Sequence, residues 1–195
     1  MTAIIDYNTG NLFSLIASLE RVGVDYKLTS DSEEILSSDS VILPGVGEAS
    51  NAMSELRKRG LDKVIPLIKA PVLGICIGMQ LMCSSSEEGD AECLNIFPNK
   101  VIKLRGKGIK IPHMGWNSVA NTRSPLFTGI EERAYFYFVH SFAPVCNEFT
   151  AATTEYGDIF SSALSKNNFY GTQFHPEKSG ETGEILLRNF IKIKD

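Results

Sequence analysis

The residue pattern with the clearest chemistry is a cysteine between two glycines, because residues 74–78 read Gly-Ile-Cys-Ile-Gly. An apolar run precedes it, typical of a strand buried on both faces, and residues 79–82 resemble a helix start. Such a tight corner leaves no room for a Cβ on the flanking residues and holds Cys76 out over the sheet edge. The following helix would favour the thiolate, the nucleophilic form of cysteine. The pattern predicts that Cys76 is a nucleophile; the alternative is a buried structural cysteine.

A base and a carboxylate that could serve this nucleophile lie near the other end of the chain, where residues 173–177 read Gln-Phe-His-Pro-Glu. In extended backbone His175 and Glu177 would point to the same face, and Pro176 favours an extended residue before it. Glu177 could then fix the tautomer of the imidazole, which could take the thiol proton and later protonate a leaving group. The alternative for this pair is a surface histidine and glutamate at a strand end.

Two further histidines compete for the role of base. His113 lies in the segment 112–117, Pro-His-Met-Gly-Trp-Asn, and His140 lies in the segment 137–141, Tyr-Phe-Val-His-Ser. Neither has a carboxylate two or three residues away to orient its ring. We therefore expect a structural or substrate-positioning role for each, and we assign the base to His175.

The elements that must position these residues alternate between strand and helix in the first half of the chain. Apolar strands at 3–5, 41–43 and 72–75 are each followed by a turn and a helical pattern, which predicts a parallel, doubly wound sheet. Chemistry in such sheets collects at the carboxyl ends of the strands. The turn at 44–47, Pro-Gly-Val-Gly, would lie there and could expose backbone N–H donors toward Cys76; a plain turn is the alternative.

The second half of the chain is richer in strand patterns. After a polar loop at 84–90, we expect antiparallel strands laid onto the edge of the first sheet, and a closing helix from residue 182. The fold class is therefore α/β with three layers, a mainly parallel central sheet and an antiparallel extension in the second half. No linker or repeat divides the chain, so we expect one domain over 1–195. The predicted strands of this half are 96–104, 116–119, 134–139, 150–154, 159–164 and 169–174.

Composition narrows the functional class. The chain has 195 residues, of which 43% are hydrophobic and 22% charged, and a net charge of −4, so nucleic acid is not favoured as a partner. No apolar stretch approaches the ~20 residues of a membrane span, and no signal peptide is evident, so we expect a cytoplasmic protein. The spacing of the cysteines matches no zinc site, and we expect no metal. We expect three of the four cysteines to be reduced thiols without a catalytic role, namely Cys83, Cys93 and Cys146.

Taken together, the cysteine corner and the His-Pro-Glu segment resemble class I glutamine amidotransferases. Five further segments are similar to one branch of that family, the glutaminase subunits of imidazole glycerol phosphate synthases. The resemblance runs from the first strand to the last helix. The segments are 6–12, 44–47, 112–117, 137–141 and 173–179.

The resemblance implies a flavodoxin-like amidotransferase fold and an activity. The enzyme would hydrolyse L-glutamine to glutamate and ammonia without a cofactor. It would form a heterodimer with a (β/α)₈-barrel cyclase subunit, which uses the ammonia to make imidazole glycerol phosphate and AICAR in histidine biosynthesis. Carried over by position, the catalytic residues are Cys76, His175 and Glu177; the oxyanion and substrate contacts are Val46, Gly47, Ile77, Gln80, Tyr137, His140, Ser141 and Phe142; and the partner-facing residues are Asn8, Asn11, Trp116 and Lys178.

The chain departs from this pattern at three positions. Phe142 stands where tyrosine is more frequent, Ile77 replaces leucine, and Asn8 replaces glycine. The other functional classes are a glutaminase of another pathway, a cysteine peptidase on the same corner, and a non-catalytic module that has kept the fold. Met79 and the Trp116 segment weigh against another pathway. The intact set of cysteine, histidine and glutamate weighs against a module without activity.

Overall fold

The first half of the chain forms the alternating pattern that the sequence predicts. The computed structural model describes residues 1–8, 12–45, 47–106 and 108–193. Residues 61–67 form a short α-helix that continues as a 3₁₀ turn at Ile65–Leu67, because Pro66 lacks the N–H that an α-helix interior requires. The elements are β1 (Thr2–Ile5), α1 (Phe13–Val22), β2 (Tyr26–Thr29), α2 (Ser32–Leu36), β3 (Ser40–Leu43), α3 (Ala49–Lys58), α4 (Leu61–Val64), β4 (Val72–Ile75) and α5 (Ile77–Leu81).

The second half is mostly β-structure and closes with a long helix. Two short 3₁₀ turns interrupt it, at Pro125–Phe127 and Pro176–Lys178. The elements are β5 (Ser85–Ser86), β6 (Ala91–Glu92), β7 (Lys100–Lys103), β8 (His113–Ser118), β9 (Tyr135–His140), β10 (Phe142–Pro144), β11 (Thr150–Tyr156), β12 (Asp158–Lys166), β13 (Phe169–Thr172) and α6 (Gly180–Lys192).

The main sheet is mixed. Within the described residues it has seven strands in the order β11-β12-β13-β4-β3-β1-β2. The strands from β13 to β2 are parallel, whereas β12 and β11 add an antiparallel edge. This confirms the predicted α/β class, with a mainly parallel sheet and an antiparallel extension.

The expected placement of the remaining strands was wrong, because among the strands of the described residues only β11 and β12 extend the main sheet as an antiparallel edge. The strands β10, β7, β5 and β6 form a separate four-stranded sheet, and β8 pairs with β9 in a two-stranded sheet. The predicted strand at 96–104 shrinks to β7, since Pro98 has no N–H to donate to a ladder. The polar loop at 84–90 contributes the short strand β5, which the sequence pattern did not indicate.

The core lies on both faces of the central strands. Every residue of β1, β3, β4 and β13 is buried, so helices must cover the sheet on both sides. The helices form two groups that do so, α1 against α6, and α3 against α4 and α5. The carboxyl ends of β3, β4 and β13 therefore meet at one edge, and this edge carries the candidate chemistry.

Candidate active site

The predicted nucleophile lies on a strained backbone corner between β4 and α5. Cys76 has φ 52° and ψ −109°, a conformation that non-glycine residues rarely adopt and that costs about 1–3 kcal/mol. Its backbone N–H donates to the Thr172 carbonyl oxygen at 2.7 Å, which ties the corner to the end of β13. Helix α5 has only five residues, so its dipole contributes less to a thiolate than the sequence suggested.

The two glycines that flank the cysteine are required by close packing, as predicted. A Cβ on Gly78 would lie 1.8 Å from the Leu43 carbonyl oxygen, and one on Gly74 would lie 2.7 Å from the backbone nitrogen of Met79. The corner after β4 therefore packs directly against the end of β3. This contact also brings Gly45 against the corner, where an added Cβ would lie 2.6 Å from the backbone nitrogen of Gly78.

The imidazole of His175 is held from several directions. Its Nδ1 lies 2.7 Å from Oε1 of Glu177, and both side chains are more than 90% buried. Its backbone N–H donates to the Tyr137 carbonyl oxygen at 2.9 Å, and the Ser179 hydroxyl donates to its carbonyl oxygen at 2.6 Å. Since a carboxylate accepts at Nδ1, the other ring nitrogen, Nε2, is available for chemistry.

The route by which His175 meets Glu177 differs from the one predicted. His175 is extended, with φ −99° and ψ 98°, but residues Pro176–Lys178 form a 3₁₀ turn instead of a continued strand. Pro176 fits the first position of such a turn, because its missing N–H would be unpaired there in any case. The turn folds Glu177 back onto the ring, so the pairing arises from a tight turn and not from strand alternation.

Charge at Cys76 and His175 is coupled. Burial alone would lower the pKa of His175, but the nearby Cys76 thiolate, by its charge and by hydrogen bonding, and then Glu177, outweigh it and raise the pKa to about 10. Nε2 of His175 is buried and makes no geometrically complete hydrogen bond to any described residue. A loose contact of this kind is common before substrate binds. The surroundings of His175 thus favour its charged, imidazolium form.

A cavity of about 330 Å³ opens on this pair, a size typical of small-molecule sites. Both Cys76 and His175 line it, together with residues from the 44–47 turn and from the start of β10. A larger cavity of about 850 Å³, next to Met1 and α6, contains none of the predicted site residues. Six of the predicted oxyanion and substrate residues line the smaller cavity: Gly47, Ile77, Gln80, His140, Ser141 and Phe142.

Some predicted site residues lie elsewhere. The Tyr137 side chain does not line the cavity among the described residues; its ring packs edge-on against Trp116, with the centroids 6.1 Å apart. Val46 lies outside the described residues. The sequence also missed a cavity-lining carboxylate, Glu88, whose Oε2 accepts from the backbone N–H of Ala49 at 3.1 Å. Burial, partly offset by that hydrogen bond, raises the pKa of Glu88. No motif surrounds Glu88, so only the folded chain reveals it.

The two competing histidines bond to each other, which argues against either as the base. His113 Nδ1 lies 3.0 Å from His140 Nε2, because the two residues are paired directly across β8 and β9. Burial lowers the pKa of His113 to about 4. Burial, only partly offset by a backbone hydrogen bond, lowers that of His140 to about 3. Both rings are neutral at pH 7 and have partners other than Cys76.

The sequence did not identify Gln173, which contacts the nucleophile directly. Its Nε2 lies 3.6 Å from the Cys76 sulfur, and its Oε1 accepts from Gln80 Nε2 at 3.0 Å. Gln80 Nε2 also donates to the Phe142 carbonyl oxygen at 2.9 Å, so this contact uses the backbone and not the side chain that departs from the family pattern. The only sequence signal for Gln173 was its place two residues before His175.

The predicted partner-facing residues are only partly described. Trp116 is 55% exposed on β8, and Lys178 lines the cavity beside His175. Asn8 is exposed with φ 70°, a conformation that asparagine tolerates in place of glycine. Asn11 lies outside the described residues. The sequence missed the exposed Met114, which neighbours Trp116 on the same strand.

The described part of the chain was also compared with the requirements of a metal site, a membrane span and a disulfide. Among the described residues, no group of three or more histidine, cysteine, aspartate or glutamate side chains could hold a metal ion. None of the helices in that part of the chain has both the length and the apolar character to cross a bilayer. All four cysteines are free, and Cys146 is the exposed one among them.

Comparisons with known proteins identify the family and the fold. The family described as "Glutamine amidotransferase class-I" matches residues 3–193. "Imidazole glycerol phosphate synthase subunit HisH" of Bacteroides thetaiotaomicron is 53% identical over 194 residues, covering 98% of each chain. The protein of the same description from Idiomarina loihiensis is 46% identical over 190 residues, covering 97% of this chain and 96% of its own. A crystal structure of a glutamine amidotransferase superposes with a TM-score of 0.70 at 18% identity, over 97% of both chains.

Proposed function

The chain belongs to the class I glutamine amidotransferases, and we propose that its site hydrolyses L-glutamine through a thioester on Cys76. Its near full-length relatives make it the glutaminase subunit of an imidazole glycerol phosphate synthase, in histidine biosynthesis. The observation that carries the proposed mechanism is the buried pairing of His175 Nδ1 with Glu177 at 2.7 Å, beside a cysteine on a strained corner. We treat residues 1–195 as one domain, because the family match runs from 3 to 193.

The first half of the proposed reaction forms the thioester. The Cys76 sulfur, as thiolate, attacks the side-chain amide carbon of glutamine, and the carbonyl oxygen becomes an oxyanion. The imidazolium of His175 donates its proton to the amide nitrogen, the C–N bond breaks, and ammonia leaves. Glu177 accepts a hydrogen bond from Nδ1–H of His175 throughout, without taking the proton, and stabilises the charged ring.

The second half returns the enzyme to its starting state. A water molecule gives a proton to Nε2 of His175 and attacks the thioester carbon. A second oxyanion forms and collapses, the C–S bond breaks, and the sulfur leaves as a thiolate beside the imidazolium. The new γ-carboxyl group releases its proton to solvent, and glutamate leaves. The same ring thus acts as acid and then as base.

Backbone donors around the cavity would stabilise both oxyanions. The N–H groups of Ile77 and Gly47 belong to residues that line the cavity, and they are the proposed donors, together with Val46 outside the described residues. One such donor is worth about 3 kcal/mol of transition-state stabilisation in other enzymes. Glu88 is the cavity-lining carboxylate that we assign to the α-ammonium group of glutamine.

A partner subunit follows from the relatives, which are described as synthase subunits. We propose that the partner is the (β/α)₈-barrel cyclase, which receives the ammonia and makes imidazole glycerol phosphate and AICAR. The exposed side chains of Met114 and Trp116 support a docking surface on β8. Met114 is paired across the sheet with Val139, which lines the catalytic cavity, so this surface adjoins the site. The cytoplasmic location predicted from the sequence stays a prediction.

The test separates glutamine hydrolysis from use of the ammonia. Cys76→Ala should abolish glutamate release in the presence of the cyclase subunit, whereas added ammonium should still support cyclisation. Cys146→Ala is the matched control, since Cys146 is exposed and lies outside the cavity. Glutamine turnover that survives in Cys76→Ala would refute the thioester mechanism. Stimulation by a different synthase, but not by the cyclase, would refute the proposed partner.

A further inference from the structure

We propose that Gln173 is a positioning residue for the reaction, because its amide N–H is aimed at the Cys76 sulfur by a hydrogen-bonded chain with one possible direction. The inference rests on the proposed function, since it concerns the nucleophile of that reaction. Gln173 is fully buried and does not line the cavity, so it acts on the cysteine and not on the substrate.

The direction of the chain is fixed at the Phe142 carbonyl oxygen, which can only accept hydrogen bonds. Two groups reach it, His140 Nδ1 at 2.8 Å and Gln80 Nε2 at 2.9 Å, and both must donate. The amide of Gln80 therefore has one orientation. Its second N–H points at Gln173, so Gln173 presents its oxygen there, and its own NH₂ group faces the Cys76 sulfur.

The histidine pair fixes the other end of the same chain. Because His140 Nδ1 donates to Phe142, its Nε2 carries the lone pair and accepts from His113 Nδ1 at 3.0 Å. His113 Nε2 then accepts from Asn117 Nδ2 at 3.3 Å, and the same Nδ2 donates to the Glu155 carbonyl oxygen at 3.0 Å. The low pKa values of both rings keep this arrangement of protons in place at neutral pH.

The amide of Gln173 matters because of the other group close to the sulfur. The Cys76 thiol can donate to the Val139 carbonyl oxygen at 3.9 Å. Because a carbonyl oxygen only accepts hydrogen bonds, it cannot stabilise the thiolate. The Gln173 N–H at 3.6 Å does the opposite, since it favours the thiolate and holds the sulfur in one rotamer. The Gln173 N–H therefore remains a donor to the sulfur after the thiol loses its proton.

Two substitutions distinguish a role of Gln173 as hydrogen-bond donor from a role in which its side chain only fills space. Gln173→Met keeps the side-chain volume but has no N–H. Gln173→Glu keeps the shape of the side chain and the oxygen that accepts from Gln80. In this second variant an oxygen replaces the NH₂ group that faces the sulfur. Ser162→Ala is the matched control, because its buried hydroxyl has no hydrogen-bond partner among the described residues and it lies on the strand beside Gln173.

The measurement is the pH profile of alkylation by iodoacetamide in the isolated protein, followed on the Cys76 peptide by mass spectrometry. Cys146, which is exposed, serves as the internal reference thiol. We expect Cys76 in both Gln173 variants to react about tenfold more slowly with iodoacetamide at pH 7, and the pH profile of alkylation to move to higher pH by about one unit. In the glutaminase assay kcat should fall by a similar factor, about tenfold, with KM nearly unchanged. Ser162→Ala should match the wild type.

The outcomes distinguish this inference from the proposed function. Alkylation needs neither glutamine nor the cyclase, so a wild-type protein that fails to release glutamate refutes the function and leaves the profile readable. A wild-type profile in Gln173→Glu, or a change confined to KM, overturns the positioning role. If Gln173→Met does not fold, Gln173→Glu decides, because it keeps the bond to Gln80.

Discussion

Replacing Gly78 by alanine tests how closely the catalytic corner depends on packing against the end of β3. The added Cβ would lie 1.8 Å from the Leu43 carbonyl oxygen, and Cβ contacts below 3.0 Å essentially never occur. The new Cβ would clash with a main-chain oxygen, so no flexible side chain can rotate to relieve the contact. The two segments must therefore separate by roughly 1 Å, and a displacement of that size can lower kcat about 100-fold.

The effect should fall on chemistry because both sides of this contact serve the site. Residues 76–77 carry the nucleophile and a proposed oxyanion donor, and Gly47 on the other side carries the second. The glutaminase assay with the cyclase subunit should show kcat reduced about 100-fold, and urea unfolding should show a folded but less stable protein. A displaced oxyanion donor alone accounts for a loss of this order.

The control is Gly23→Ala, at a glycine with φ +73° and no atom within 4 Å of its added Cβ. That change should cost about 1–2 kcal/mol of stability, because alanine resists left-handed backbone, and it should leave kcat unchanged. If Gly78→Ala kept kcat within about twofold of the wild type while remaining folded, this packing would not position the site.

Two further predictions concern charge. Since the pKa of His175 is raised from 6.5 to about 10, its contribution to stability is complete below pH 6.5 and is lost as pH rises toward 10. Glu177→Gln should make that loss shallower and reduce kcat, and urea titrations between pH 6.5 and 10 would show this; an unchanged slope would contradict it. The pKa of His113 is lowered to about 4, so wild-type stability should fall as pH drops from 6.5 to 4. His113→Phe keeps an aromatic ring stacked on Tyr156 and should reduce the loss of stability between pH 6.5 and 4 in the same urea titrations. An equally steep loss of stability in this variant would contradict the prediction.

The parts of the site that the sequence predicted are those in which one residue type is required by geometry. The glycines at 74 and 78 signalled a corner, because a Cβ at either position would strike backbone. Residues 173–177 signalled an imidazole with a carboxylate, although the local turn that joins them was not foreseen. The parallel sheet followed from buried apolar runs between helical patterns.

The parts that the sequence could not predict depend on register and on buried amides. His113 meets His140 because β8 pairs with β9 in one register, and the chain between these strands carries no short turn signal that would fix it. Gln173 and Glu88 have polar side chains with no motif around them, so only the folded chain brings them to the site. The four-stranded sheet includes the two-residue strands β5 and β6, which are too short to show an alternating pattern in the sequence.

Covalent modification by a glutamine-analogue electrophile would show directly whether Cys76 is the nucleophile. The protein would be treated with the cyclase present, digested, and mapped by mass spectrometry, with His175→Ala measured in parallel. We expect one adduct, on Cys76, formed much more slowly in His175→Ala. An adduct on Cys83, Cys93 or Cys146 with Cys76 unmodified would contradict it.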